Sequence, residues 1–311
     1  MNFADRLVAA CQDKHSVLVV GLDPRWASLP PSLQELAVKA NGLTAQAAAL
    51  AFHLFGRAII DAVADLAVAV KPQFAFYEQY GPWGMHSLLQ TVEYARSQGL
   101  LVIGDAKRGD IGSTAEAYAG AYLGGFSGQN EPDFTMSLDA LTVNAYLGSD
   151  GVLPFVKAAA KSDSGIFALV KTSNPSSGEI QDRLVDGEPV HSLMARQVSA
   201  WGEALVGTSG YSSVGAVVGA TYPEEAAVLR KIMPRNIFLV PGYGAQGGTA
   251  ADVVPAFNAD GLGAVVNSSR GIIFAYQKSS EYGADRYADA ARAAALAARD
   301  DINAALRRAG K

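Results

Sequence analysis

Several things are scarce in this chain of 311 residues, and each scarcity excludes something. There is one cysteine, Cys11, so no internal disulfide can form; a small buried apolar role is expected for it. There is no block of basic residues, and the formal net charge is -5, which removes the electrostatic footprint of a nucleic-acid binder. No apolar run reaches the roughly 18 residues that a bilayer span requires, so no membrane partner is expected. The opening MNFADRLVAACQDKH carries acids and lacks the basic-then-apolar order of a signal peptide. These features predict a soluble cytoplasmic protein. The four histidines, His15, His53, His86 and His191, lie scattered without metal-ligand spacing, so surface or core positions are expected and no metal.

What is present is apolar. Half of the residues are hydrophobic and 18% are charged, enough to bury a large core. Short apolar runs recur at VLVVGL from Val17, LAVAVK from Leu66, LLVIGD from Leu100 and ALTVN from Ala140. Four more follow at GIFALVK from Gly165, VGAVVG from Val214, IFLVPG from Ile237 and LGAVVN from Leu262. Near-continuous apolar runs of this length suit parallel strands buried on both faces. Stretches with helical spacing follow almost every one, for example 86–98, 112–123, 189–206, 222–233 and the Ala-rich 284–309. Eight β-then-α units without a composition break predict an α/β fold, a single (β/α)8 TIM barrel domain over 1–311. Segments 24–43, 124–139 and 172–188 are long for connections and are expected as insertions on the rim.

A barrel of this kind places its chemistry at the C-terminal ends of its strands. Asp23 follows the first run, Lys71 ends the second, and Asp105 and Lys107 end the third. Lys171 and Thr172 follow the fifth, Gly242 the seventh and Arg270 the eighth. A charge at a strand end is often just solvated, but five of eight strands ending so points to one shared cavity. The densest cluster is Asp105-Ala106-Lys107-Arg108-Gly109-Asp110-Ile111-Gly112-Ser113-Thr114. Strand alternation puts Asp105 and Lys107 on the same side. Asp110 or Ser113 could instead be an ordinary helix cap. That alternative does not explain a lysine between two aspartates.

Two other signals carry less. Gly242, Gly244 and Gly247 spell G-x-G-x-x-G, but the following strand ends in Asn267-Ser268-Ser269-Arg270 rather than in the acid a dinucleotide ribose needs. The aromatic run Phe74, Phe76, Tyr77 and Tyr80 is expected to pack a loop or a subunit interface rather than to stack bases.

The run VIGDAKRGDIGST resembles the D-x-K-x-x-D signature of orotidine 5′-phosphate decarboxylases. The resemblance continues in order along the chain. VGLDP holds Asp23, VKPQFAFYEQYG holds Lys71, VKTSNPSSGE holds Ser173, PGYGAQGG holds Gln246, and VNSSRGI holds Arg270 and Gly271. KTSNPS and the long rim segments look most like the longer-chain bacterial branch; the Arg108-Gly109 pair departs from many members. The resemblance implies catalytic roles for Lys71, Asp105, Lys107 and Asp110, with Lys107 as proton donor to C6 of the pyrimidine. It implies ribose contacts from Asp23, Lys71 and Thr114, a pyrimidine contact from Ser173, and a phosphate clamp from Gln246, Arg270 and Gly271. It further implies no cofactor, a nucleotide substrate, and a homodimer with shared active sites in which Asp110 and Thr114 reach across.

These roles suit the chemistry. Loss of carbon dioxide from C6 leaves a carbanion in the ring plane, out of reach of the π-system. Decarboxylases commonly use a cofactor as electron sink. Here a fixed ammonium would stabilise the charge and deliver the proton. Two rivals remain. Metal-dependent phosphosugar decarboxylases and hexulose-phosphate synthases share the barrel and motif but need further carboxylates, whereas the fourth strand ends in Asn144-Ala145-Tyr146. A non-catalytic nucleotide sensor would be expected to lose the lysine–aspartate tetrad.

Overall fold

The computed structural model describes residues 1–124, 136–244 and 247–311. All eight apolar runs form strands: β1 (Leu18–Leu22), β2 (Ala69–Pro72), β3 (Leu101–Arg108), β4 (Ala140–Val143) and β5 (Gly165–Lys171). After a two-strand hairpin, β6 (Leu184–Val185) and β7 (Glu188–Pro189), come β8 (Ser212–Val218), β9 (Asn236–Val240) and β10 (Ala264–Ser268). The eight longer strands close a parallel barrel in the order β1-β10-β9-β8-β5-β4-β3-β2, which is the expected (β/α)8 architecture. In β1, β8, β9 and β10 every residue is buried, as strands covered by side chains within the barrel and helices outside must be.

The expected helices are found at Gly81–Ser97, Gly112–Leu123, Val190–Gly202, Pro223–Ile232 and Tyr287–Arg308. The helix Ala45–Val63 corrects one expectation. It has 19 residues and, by length and composition alone, is apolar enough to cross a membrane. Its apolar residues have a nearer destination. Phe52, Phe55, Ile59, Ile60 and Val63 are buried, and Phe55 stacks on Phe274 and Tyr287 at 5.7 and 5.3 Å. The helix is therefore packed as a core element of the barrel.

The first helix, Phe3–Asp13, covers the N-terminal mouth of the barrel. Phe3 meets the Phe167 ring edge-on at 5.8 Å, and the Ala4 amide donates to Ser213 Oγ at the start of β8. With that end plugged, an open cavity remains at the strands' C-terminal ends. The expected rim segment 24–43 contains a helix of its own, Pro31–Asn41. Segment 172–188 carries a 3₁₀ turn and the β6–β7 hairpin. Most of 124–139 lies outside the described residues. The three glycines of G-x-G-x-x-G have φ of +104°, +75° and +95°, and the Gly244 amide donates to Gly248 O. They build a tight turn on a closed barrel, so the dinucleotide alternative lacks its open sheet.

Candidate active site

Adjacent strand ends bring the charges together. Lys71 leaves β2 and its Nζ stands 2.5 Å from Asp105 Oδ2 on β3. Gln73 Nε2 donates to the same oxygen at 2.9 Å, while Lys107 Nζ bonds Asp105 Oδ1. Both Lys71 and Asp105 are buried, whereas the Lys107 side chain is 46% exposed. Burial alone would raise the Asp105 pKa, but the ammonium groups of Lys71 and Lys107 hold it far below the usual carboxylate range. Burial likewise opposes the charge on Lys71, yet the Asp105 and Asp23 carboxylates move its pKa upward. The result is a salt-bridged Lys–Asp–Lys chain with the outer Lys107 side chain facing open space.

The two residues meet, but not through simple strand alternation. In β3, Gly104 pairs with Leu141 and Arg108 with Val143, so Asp105, Ala106 and Lys107 stand opposite the single residue Thr142. Lys107 takes a left-handed backbone, φ +49°. This is a bulge, which re-aims side chains at a strand end.

A cavity of about 500 Å³ opens above the barrel. Asp23, Lys71, Asp105, Lys107, Ser173 and Arg270 all line it, as expected of residues from five different strand ends. Gly271 lies beside Arg270 on a neighbouring hollow with Arg25 and Lys278. Gln246 lies outside the described residues. Lys171 turns away from the mouth: fully buried, it pairs with Asp182 of the rim segment. Sequence reasoning missed Gln73, Thr142, Asn174 and Asn267, which line the same cavity. Each is an uncharged polar residue at or near a strand end; ALTVN and LGAVVN contain two of them in plain view.

Two acceptors in the cavity wall lack partners among the described residues: Asp23 Oδ1 and Asn267 Oδ1, both buried. A buried acceptor without a donor is costly, so both atoms are suited to hydroxyl groups of a ligand. Gly21 makes the approach possible, since a Cβ there would fall 1.8 Å from Ser269 Oγ and 3.2 Å from Asn267 Oδ1.

Asp110 and Thr114 are not among the residues lining this cavity. They sit beyond the bulge, where the Ile111 amide donates to Asp110 Oδ1 at 2.8 Å and Thr114 is exposed. Neither Asp110 nor Ser113 caps the helix; Ile111 occupies the cap position without a side-chain bond. Ile111, Tyr118, Tyr146, Leu147 and Leu153 are exposed on this helix and on the segment that packs beside it, with Tyr146 80% exposed and Gly151 set against both Leu147 and the Asp110 carbonyl.

A cleft of about 550 Å³ lies at the opposite end, near the starts of β8 and β9, and holds Arg196, Glu203 and Arg235 without a comparable cluster. Among the described residues no group of three or more His, Cys, Asp or Glu is placed to hold a metal ion. His191 is buried, as a core role requires.

Comparison with known proteins agrees with this geometry. A sequence model described as "Orotidine 5'-phosphate decarboxylase / HUMPS family" matches residues 16–284. An orotidine 5′-phosphate decarboxylase from Rhodopirellula baltica is 48% identical over 299 residues, covering 95% of this chain and 97% of its own. One from Caldicellulosiruptor bescii is 42% identical over 278 residues, covering 89% and 91%. The solved structure of Leishmania donovani OMP decarboxylase superposes with a TM-score of 0.74 at 30% identity, covering 99% of both chains.

Proposed function

The chain belongs to the orotidine 5′-phosphate decarboxylase / HUMPS family, and from that premise we propose that it converts orotidine 5′-phosphate to uridine 5′-monophosphate and carbon dioxide. It is then a carboxy-lyase of pyrimidine biosynthesis. The observation that carries the reading is the salt-bridged Lys71–Asp105–Lys107 chain at the base of the cavity. With the pyrimidine above it, the C6–carboxylate bond breaks and its electron pair stays on C6. The Lys107 ammonium, fixed beforehand, stabilises that charge and then transfers its proton to C6. Water restores the proton to the amine. The Asp105 carboxylate keeps the ammonium aimed. Its repulsion of the substrate carboxylate contributes secondarily, because it disappears as carbon dioxide leaves.

The remaining residues divide the nucleotide among them. The orphaned Asp23 Oδ1 accepts from a ribose hydroxyl, with Lys71 beside it. Ser173, on the rim segment, meets the pyrimidine. Arg270 and Gly271, with Gln246, hold the phosphate, whose binding energy helps to order the rim over the ring. The working unit is a homodimer in the cytoplasm, one barrel domain per chain. Its interface is the apolar face of Ile111, Tyr146, Leu147 and Leu153, through which Asp110 and Thr114 complete the partner's site. The reaction uses neither cofactor nor metal.

The test is the loss of orotidine 5′-phosphate absorbance with purified protein in excess chelator. Continuous loss, with uridine 5′-monophosphate as product, is expected. No turnover, or turnover that returns only with added magnesium, overturns the reading, the latter in favour of enediolate chemistry.

A further inference from the structure

The bulge that aims Lys107 has two extra residues and breaks the β3–β4 ladder where the chemistry is placed. A non-glycine residue at positive φ in such a break persists only if neighbouring groups determine it. One hydroxyl supplies most of that determination. Thr142 Oγ1, 1% exposed on β4, accepts from the Ala106 amide at 3.0 Å and from the Lys107 amide at 2.9 Å. It also lies 3.2 Å from Asp105 Oδ1, the oxygen that Lys107 Nζ bonds, and 3.4 Å from Gly104 O. The same hydroxyl is thus bonded to the backbone of Lys107 and to the carboxylate that receives its side chain.

The outer side of the bulge is held as well. Arg108 Nη1 donates to Ala106 O at 3.1 Å, spanning Lys107. Its guanidinium pairs with Glu78 and lies against Phe74, Tyr118 and Tyr122 at 5.5–5.8 Å. The ladder resumes immediately, where the Asn144 amide donates to Arg108 O at 2.8 Å.

We propose that Thr142 is a positioning residue for the decarboxylation. Its hydroxyl pins the bulge from inside, with Arg108 as the outer brace, so that the Lys107 ammonium is set against Asp105 and under C6. The inference rests on the reading of Lys107 as proton donor. Valine has the shape of threonine but cannot accept the two amide bonds. The bulge then relaxes and the ammonium loses its aim, while the phosphate and ribose contacts stay in place. Preorganisation of this kind acts on the transition state more than on substrate binding.

The experiment compares wild type, Thr142→Val, Thr142→Ser and Arg108→Met by steady-state decarboxylation and thermal melting. Thr142→Val should lower kcat by about ten- to a hundredfold with KM changed less than about threefold, as expected for loss of transition-state aim. Thr142→Ser, which keeps the hydroxyl, should restore most of the turnover. Arg108→Met should lower kcat in the same sense and decides the matter if Thr142→Val does not fold. A folded Thr142→Val enzyme with undiminished kcat, or one in which KM alone rises, overturns the proposal, as does failure of serine to rescue. Should wild type itself lack decarboxylase activity, the functional reading fails first; an active wild type with unaffected variants removes only the pin.

Discussion

Lys171 and Asp182 form an ion pair through the barrel wall: the lysine is wholly buried in β5, and the carboxylate, 46% exposed, belongs to the rim segment above it. Lys171 Nζ also lies 4.3 Å from the centroid of the Tyr222 ring. Removing the carboxylate leaves a buried ammonium whose remaining contact among the described residues is that π-face. Asp182→Ala should therefore lower stability by about 2 kcal/mol, less than for a fully buried pair because water reaches Asp182. Urea denaturation will read it as a lower midpoint. Since Ser173, Asn174 and Gln181 on the same segment line the cavity, KM should rise too. A shifted midpoint with unchanged KM would confine the pair to holding the wall.

His191 makes that region sensitive to acid. Burial, and then the charge of Lys171, lower its pKa below 6.5. The unfolded chain then takes up the proton first, so stability is full above about pH 6.5 and declines as pH falls toward the lower folded value. In His191→Gln this decline should be shallower, in part, since His53 is shifted the same way. Parallel stability profiles from pH 7 to 5 would count against the assignment.

Lys107 and Arg270 should separate chemistry from affinity. Lys107→Ala should reduce turnover by several orders of magnitude, because charge stabilisation and proton donor are lost together. Binding of uridine 5′-monophosphate should change far less. Arg270→Ala should weaken binding of the phosphorylated nucleotide by about ten- to a hundredfold, the range of a charge-assisted pair. The unphosphorylated nucleoside should be indifferent to it. Turnover of Lys107→Ala within tenfold of wild type, or equal losses for both ligands in Arg270→Ala, would contradict these roles.

The shared site can be tested by mixing. Lys107→Ala and Asp110→Ala homodimers should each be nearly inactive. In a mixed dimer, the Asp110→Ala chain keeps its own Lys107 and borrows Asp110, so one site is whole. Random exchange makes about half the dimers mixed, and roughly a quarter of wild-type activity should return. Silence after confirmed exchange would place Asp110 in its own subunit's site or outside catalysis.

How far these residues could be found without coordinates depended on what kind of pattern carried them. Eight apolar runs, five of them ending in charge, determined the barrel and located Asp23, Lys71, Asp105, Lys107 and Arg270, because parallel strands deliver all their C-terminal ends to one face. The helix Ala45–Val63 escaped notice since His53, Arg57 and Asp61 break its apolar stripe, although the buried side remains continuous. What only tertiary structure decided was the direction of individual side chains where register slips. Leu169 pairs with Val217 and Lys171 with Val218, so Val170 is extra; Leu169 lines the cavity and Lys171 turns outward, against the alternation that should have joined them. In β3 a slip of two residues had the opposite outcome and kept Asp105 and Lys107 together, with Thr142 filling the broken ladder. Strand alternation is written in the sequence, but a bulge is set by pairing with the neighbouring strand, and that partner is known only once the barrel has closed.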